Sequence, residues 1–318
     1  MTDAKVDGVV FIKRNSKYYK RVYSQLDVRW FGAKGDGIDG GFNNYNGDHI
    51  AINKALSFGG KVVLKDGVFI VKKPLVLSSG NELIIEPTAV LKLGDGSNCT
   101  LIKNEHIDIP HDRINPVNYP VNFKRNKNIR IYGGGVIDGN GLKQNRANNA
   151  AVGDRPEVIG TEIFTDGDGA NYFGALMKFA DIDNLIVHDI TIKNPRTCAI
   201  AAGGLFNYTF RDIFLQRDYH IENGDGIHLH GHCYSGVIEN IKGQSSDDFI
   251  AVTTSEASLL SIRVGDVIGL KIRNLYNYGI KADDTEVTNG IPPNTRNSRC
   301  VRLTYTDNII DDVTIEIS

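Results

Sequence analysis

The chain is poor in several things at once. Its 318 residues include two methionines, one tryptophan and nine prolines, and no apolar run approaches the length needed to cross a bilayer as a helix. Membrane insertion is therefore not expected. Met1-Thr2-Asp3-Ala4 supplies neither a basic nor an apolar leader, so no signal peptide is expected either. A charge excess is also missing, since 36 basic against 38 acidic side chains leave a formal charge of −2. Without a basic surplus there is no electrostatic drive toward phosphate backbones, and nucleic acid is excluded as a main partner. Cys99, Cys198, Cys233 and Cys300 are widely separated and form no C-x-x-C pair, which removes zinc-ribbon and redox motifs. They read as buried free thiols.

Glycine is abundant, with 34 residues scattered among β-branched ones, a pattern of short strands divided by tight turns. Residues 1–31 read as an N-terminal attachment unit, with strands at 9–12 and 18–23 around Arg14-Asn15-Ser16-Lys17. A short helix follows, with Ile50, Ile52, Ala55 and Leu56 on one face behind Asp48 as a candidate cap. It would close the open end of a repeat fold. From Lys61 onward apolar strands recur at 62–64, 68–71, 75–77, 83–85 and 90–91.

Internal repetition is the strongest signal. A unit of apolar, polar, Asp/Asn, apolar recurs as Val187-His188-Asp189-Ile190, Phe210-Arg211-Asp212-Ile213, Ile238-Glu239-Asn240-Ile241, Ile272-Arg273-Asn274-Leu275 and Ile310-Asp311-Asp312-Val313, at offsets of 23, 28, 34 and 38. A second ladder runs through Ile200, Ile227, Ile250, Ile280 and Val301. Constant units with variable gaps mean coils of one shape carrying loop insertions. Stacked about 4.8 Å apart, such strands form an all-β, right-handed parallel β-helix over residues 32–318, with the short helix as its N-terminal cap. The chain stops within a repeat at residues 312–318, so an unfinished C-terminal end is expected.

The ladder also aligns carboxylates. Asp225 stands two residues before Ile227, Asp248 two before Ile250, and Asp247 adjoins them. Neighbouring coils bring the three within about a strand spacing, where like charges force one of them to hold its proton. A single Asp at such a corner is more often a turn residue bonded to nearby amides. Three at matched stations point to paired acid and base chemistry.

Two stretches carry a family likeness. Trp30-Phe31-Gly32-Ala33-Lys34-Gly35-Asp36-Gly37, the helix, and Gly59-Gly60-Lys61-Val62-Val63-Leu64-Lys65-Asp66-Gly67-Val68-Phe69 together resemble the opening of the pectate-lyase-like β-helix superfamily, often met in phage tail spikes. Gly134-Gly135-Val136-Ile137-Asp138-Gly139-Asn140-Gly141, Asn223-Gly224-Asp225-Gly226 and Ser246-Asp247-Asp248-Phe249-Ile250-Ala251 resemble the marker segments of the polygalacturonase family of glycoside hydrolases. The resemblance implies that Asp247 protonates the leaving oxygen and that Asp225 and Asp248 activate water, with no cofactor. In the family's histidine slot the ladder places Tyr278, and in its Arg-Ile-Lys slot Arg302-Leu303-Thr304. Tyr278, Arg302 and His228 are thus the expected sugar-binding residues, with part of the cationic clamp lost.

His228, His230 and His232 alternate and would face one side of a strand, but no distant ligand is aimed at them, so no metal is expected. Asp166-Gly167-Asp168-Gly169, in an insertion spanning 139–174, has only part of a calcium loop. The expectation is an inverting hydrolase of a bacterial surface polysaccharide, working as a homotrimer in a virion tail. A glycan-binding (receptor-binding) or structural β-helix without catalysis is the alternative. A lyase is disfavoured by acids without an evident base.

Overall fold

The computed structural model describes residues 6–39, 47–107, 124–144, 175–218, 224–254, 262–278, 299–305 and 308–316. Lys61–Leu64, Gly67–Val71 and Leu75–Leu77 form one coil, and Glu82–Ile85, Ala89–Leu93 and Ile102–Asn104 form the next. Each strand pairs in parallel with its counterpart a coil away. Three sheets therefore run along the coil axis, and Leu26–Asp27 adds to the first of them through Val62 and Val63. Later coils fuse strands around the corners, as in Met177–Lys193 and Ile200–Gln216.

The interior is filled by files of apolar side chains in register. Met177, Ile200, Ile227 and Ile250 make one file in the third sheet; Val187, Phe210, Ile238 and Ile272 make another in the first. All eight are buried, each contributing about 1.5–3 kcal/mol of apolar transfer. The four cysteines are free thiols, and three of them are buried.

The Asp/Asn of the repeated unit has a physical reason. Asp189, Asp212, Asn240 and Asn274 all adopt left-handed φ, at 48, 53, 56 and 53°. Short polar side chains tolerate that conformation, which bends the chain from the first sheet into the second; parallel pairing skips these residues and resumes just beyond them. Their side chains then stack as a ladder: Asn240 Nδ2 donates to Asp212 Oδ1 at 2.9 Å, and Asn274 Nδ2 to Asn240 Oδ1 at 3.0 Å.

Two rungs differ from the sequence reading. The strand that pairs with Ile250–Thr253 is Val301–Thr304, so Val301 follows Ile250 directly; Ile280 is not the rung between them and lies outside the described residues. The offset from 250 to 280 resembles a coil, but Val267–Asn277 occupies the first and second sheets of that same turn. Ile310 pairs with Val267, while Ile272 pairs with Ile315, so the last unit is displaced by five residues.

At the N-terminal end, Phe11–Arg14 and Lys17–Lys20 pair antiparallel as a separate two-stranded sheet. Helix α1, His49–Leu56, buries Ile52, Ala55 and Leu56, whereas Ile50 is exposed. Asp48 precedes α1 but its carboxylate makes no cap; it accepts from the backbone N–H of Lys34 and Ile70, at 2.6 and 3.1 Å, stitching the helix to the first coil. The Asp166–Gly169 segment lies outside the described residues.

Candidate active site

The third sheet presents a file of residues two positions before its rungs: Cys198, Asp225, Asp248 and Arg299, one per coil. Backbone bonds lock the file. Ala199 N–H donates to Asp225 O at 3.0 Å, Gly226 N–H to Asp248 O at 2.9 Å and Phe249 N–H to Arg299 O at 2.7 Å. Gly226 is required here, since a Cβ at that position would run into the Phe249 carbonyl oxygen and the Leu215 side chain. Asp247 joins from the same turn as Asp248. One oxygen from each of Asp225, Asp247 and Asp248 lies within 4.8 Å of the others.

The surroundings distinguish the three acids. Asp225 is buried; His228 Nδ1 lies 2.9 Å and Cys198 Sγ 3.5 Å from its Oδ2, and the Asp248 N–H donates to its Oδ1 at 3.2 Å. Asp248 is 1% exposed at its side chain and is held by two guanidiniums, Arg299 Nε at 2.5 Å and Arg302 Nη1 at 3.4 Å. Asp247, 24% exposed, accepts from Arg299 Nη2 at 3.2 Å. Burial, then the neighbouring charges of Asp225 and Asp248, push the Asp247 carboxyl above the ordinary carboxylate value, and Arg299 pulls it partway back. One acid inclined to keep its proton beside two carboxylates fixed by donors is the division of labour that acid and base catalysis needs.

The sequence-expected groups are brought together unequally. Arg302 reaches the acids, and its Nε donates to Thr304 Oγ1 at 3.0 Å, so the threonine in the family's lysine slot orients the arginine. His228 is 2% exposed, and its ring faces Asp225 on one side and Thr253 Oγ1, at 3.0 Å, on the other. Tyr278 stands past the end of Val267–Asn277, exposed, its backbone N–H donating to Gly243 O at 2.8 Å; no contact brings it to the acids. His228 and His230 do share a face, with rings stacked at 4.3 Å, while His232 turns away at φ 61° to pack on Phe206. Burial, with His228 and Lys178 beside it, holds His230 well below the usual imidazole range, as a neutral ring.

Arg299 was not anticipated, although the same rule that finds Asp225 and Asp248, two residues before the rung, finds Arg299 once Val301 is taken as the next rung. The rule applied to Ile200 likewise finds Cys198, whose thiol is raised well above its usual value by burial and by Asp225. Cys198, Asp225 and His228 place sulfur, oxygen and nitrogen donors within 4.8 Å of one another.

With this geometry the chain can be compared with known proteins. The model of glycosyl hydrolases family 28 matches residues 95–272, more than half of the sequence. The chain belongs to that family. A polygalacturonase of Brassica napus is 27% identical over 168 residues, covering 52% of this chain and 38% of that protein, so the match spans well under half of the relative. Among solved structures, the family 28 exopolygalacturonase of Yersinia enterocolitica is similar with a TM-score of 0.53 at 22% identity, over 83% of this chain and 51% of that one. The hyperthermoactive exopolygalacturonase of Thermotoga maritima gives a TM-score of 0.54 at 16% identity, over 92% and 75%. The shared fold is the right-handed parallel β-helix.

Proposed function

We propose that the chain is a glycoside hydrolase that cuts a polysaccharide with inversion at the anomeric carbon, using Asp247 as general acid and Asp225 with Asp248 as the pair that holds and deprotonates water. The observation that carries this reading is the unequal treatment of three carboxylates within 4.8 Å of one another. Asp247 gives its proton to the glycosidic oxygen as that bond breaks. A water between Asp225 and Asp248 loses its proton to them and bonds to the anomeric carbon from the opposite face.

Separation alone would argue for a different outcome, because inverting enzymes usually keep their two carboxyls about 6.5–9.5 Å apart and retaining ones about 5–5.5 Å. The partners of the acids argue the other way. A carboxylate that forms a covalent glycosyl ester needs an oxygen free to attack, whereas Asp225 is tied by His228 and Cys198 and Asp248 by two arginines. Such groups are better placed to hold a water than to become an ester. Proton NMR of the first-formed reducing end decides the matter: inversion is expected, and a retained anomer assigns one of the two as nucleophile.

For the substrate we propose a bacterial surface polysaccharide, and for the setting a homotrimeric phage tail spike with residues 1–31 as its attachment unit. The support is the resemblance of residues 30–69 to the opening of the pectate-lyase-like β-helix superfamily, which is often met in phage tail spikes. A glycan-binding module without catalysis is the second reading. Its support is the pairing of Arg299 and Arg302 with Asp247 and Asp248, which offsets negative charge that hydrolysis uses.

A further inference from the structure

Asp247 and Asp248 are sequence neighbours at a bend just before the strand Ile250–Thr253. Two carboxylates side by side repel. Their convergence on Asp225 therefore requires something to draw them together. Arg299 Nε meets Asp248 Oδ1 at 2.5 Å while Nη2 meets Asp247 Oδ1 at 3.2 Å. Arg302 touches Asp248 at 3.4 Å, and Asp225 is served by His228 and Cys198. Among the described residues, Arg299 is the one cation paired with both neighbours.

We propose that Arg299 is a positioning residue of the hydrolytic centre: it reaches from its own coil to the neighbouring one, where its planar fork holds Asp247 and Asp248 in one orientation toward the groove. A guanidinium can do this because its donors are fixed in one plane, which an ammonium cannot match. More than half of the Arg299 side chain is exposed, at 55%, so replacing it opens no hole in the core. The geometry stands by itself, while its consequence for catalysis rests on the hydrolase reading above. The charged groups facing Asp247 are Asp225, Asp248 and Arg299; Arg302 lies behind Asp248, and His228 and Cys198 behind Asp225. With the guanidinium gone, Arg302 still offsets part of the Asp248 charge, and the repulsion that Arg299 had relieved at Asp247 is relieved by protons.

The test is a carbon-detected titration of the aspartate carboxyls in the full chain, comparing wild type, Arg299→Gln and Arg299→Lys, with Asp247→Asn used to assign the Asp247 signal. The cluster's highest apparent midpoint is expected to rise by roughly half a pH unit or more in Arg299→Gln and to fall between in Arg299→Lys. The acid then keeps its proton to higher pH, so the alkaline limb of the kcat/KM profile moves up in the same order. A merely structural ion pair would move the titration too, since any lost cation does, but would leave kcat and the kcat/KM profile in place, and that result overturns the proposal. Unmoved titration in a folded Arg299→Gln overturns the proposal. If that variant loses its β-sheet spectrum, a wild-type midpoint in Arg299→Lys overturns it instead. Movement in the titration without any reducing-end release by wild type leaves the clamp standing and removes the hydrolase reading.

Discussion

Asp225 and Asp248 are held by fixed donors, and Asp247 is left with one exposed arginine and two like charges. If those surroundings assign the roles, replacing any of the three with Asn keeps the shape and removes a proton carrier, and turnover should fall by about 100-fold or more while glycan binding survives. Wild-type turnover in all three variants would remove the acids from the chemistry. Asp247 also gives a stability prediction. Because its folded-state value lies above the ordinary 3.8, the folded chain binds that proton more tightly than the unfolded chain does. This stabilising contribution is complete below the ordinary value and is lost as pH rises through the raised one. Asp247→Asn has no charge to develop, so its thermal midpoint should exceed that of wild type near pH 7 and lose that advantage near about pH 3. His228 belongs to the same scale. Its buried ring joins Asp225 to Thr253, so His228→Gln is expected to lower kcat with little change in KM, whereas a sugar-binding histidine would raise KM.

At the level of the strand and its corner, the left-handed Asp/Asn positions do the bending. Asn240 sits at φ 56° and links the side chains of Asp212 and Asn274. Asn240→Ala keeps a Cβ in that conformation without the short polar group that tolerates it and deletes two ladder bonds, and should cost roughly 2–3 kcal/mol in a urea titration. Asn240→Gly frees the backbone and deletes only the bonds, so it should cost less. Equal losses would mean that the ladder alone matters. These corners are also why so much was legible. The unit at Val187, Phe210, Ile238 and Ile272 combines core burial with a conformational demand that few residues meet, and all four stack as the offsets imply. Beyond Leu275 a left-handed Asp recurs at Asp312, φ 48°, but its unit sits five residues early, so Ile310 pairs with Val267 where the repeat implied Ile272. Ile280 looked like a rung from its apolar spacing alone, and Tyr278 inherited a place in the site from it. Arg299 stayed hidden for the same reason: its station is visible only when Val301 is stacked directly on Ile250.

For the whole molecule, the coil brings residues 198, 225, 248 and 299 into one file from four successive turns, separations that no local motif could announce. The β-helix and the aspartates' common station followed from repetition, and α1 from its apolar face; the direction in which each side chain turns did not, because His228 faces Asp225 only through the packing around its strand. If the chain works as a trimer, sedimentation at increasing concentration should give a species of three chains, and a monomer throughout would contradict that assembly. The central claim is that this file of acids cuts glycan. It is tested most directly by reducing-end release from a panel of bacterial surface polysaccharides and polygalacturonate, with wild type beside Asp225→Asn, Asp247→Asn and Asp248→Asn. The account predicts release by wild type from at least one glycan and its near-complete loss in each variant that still binds it. Binding by wild type without release from that glycan, matched by all three variants, would contradict it.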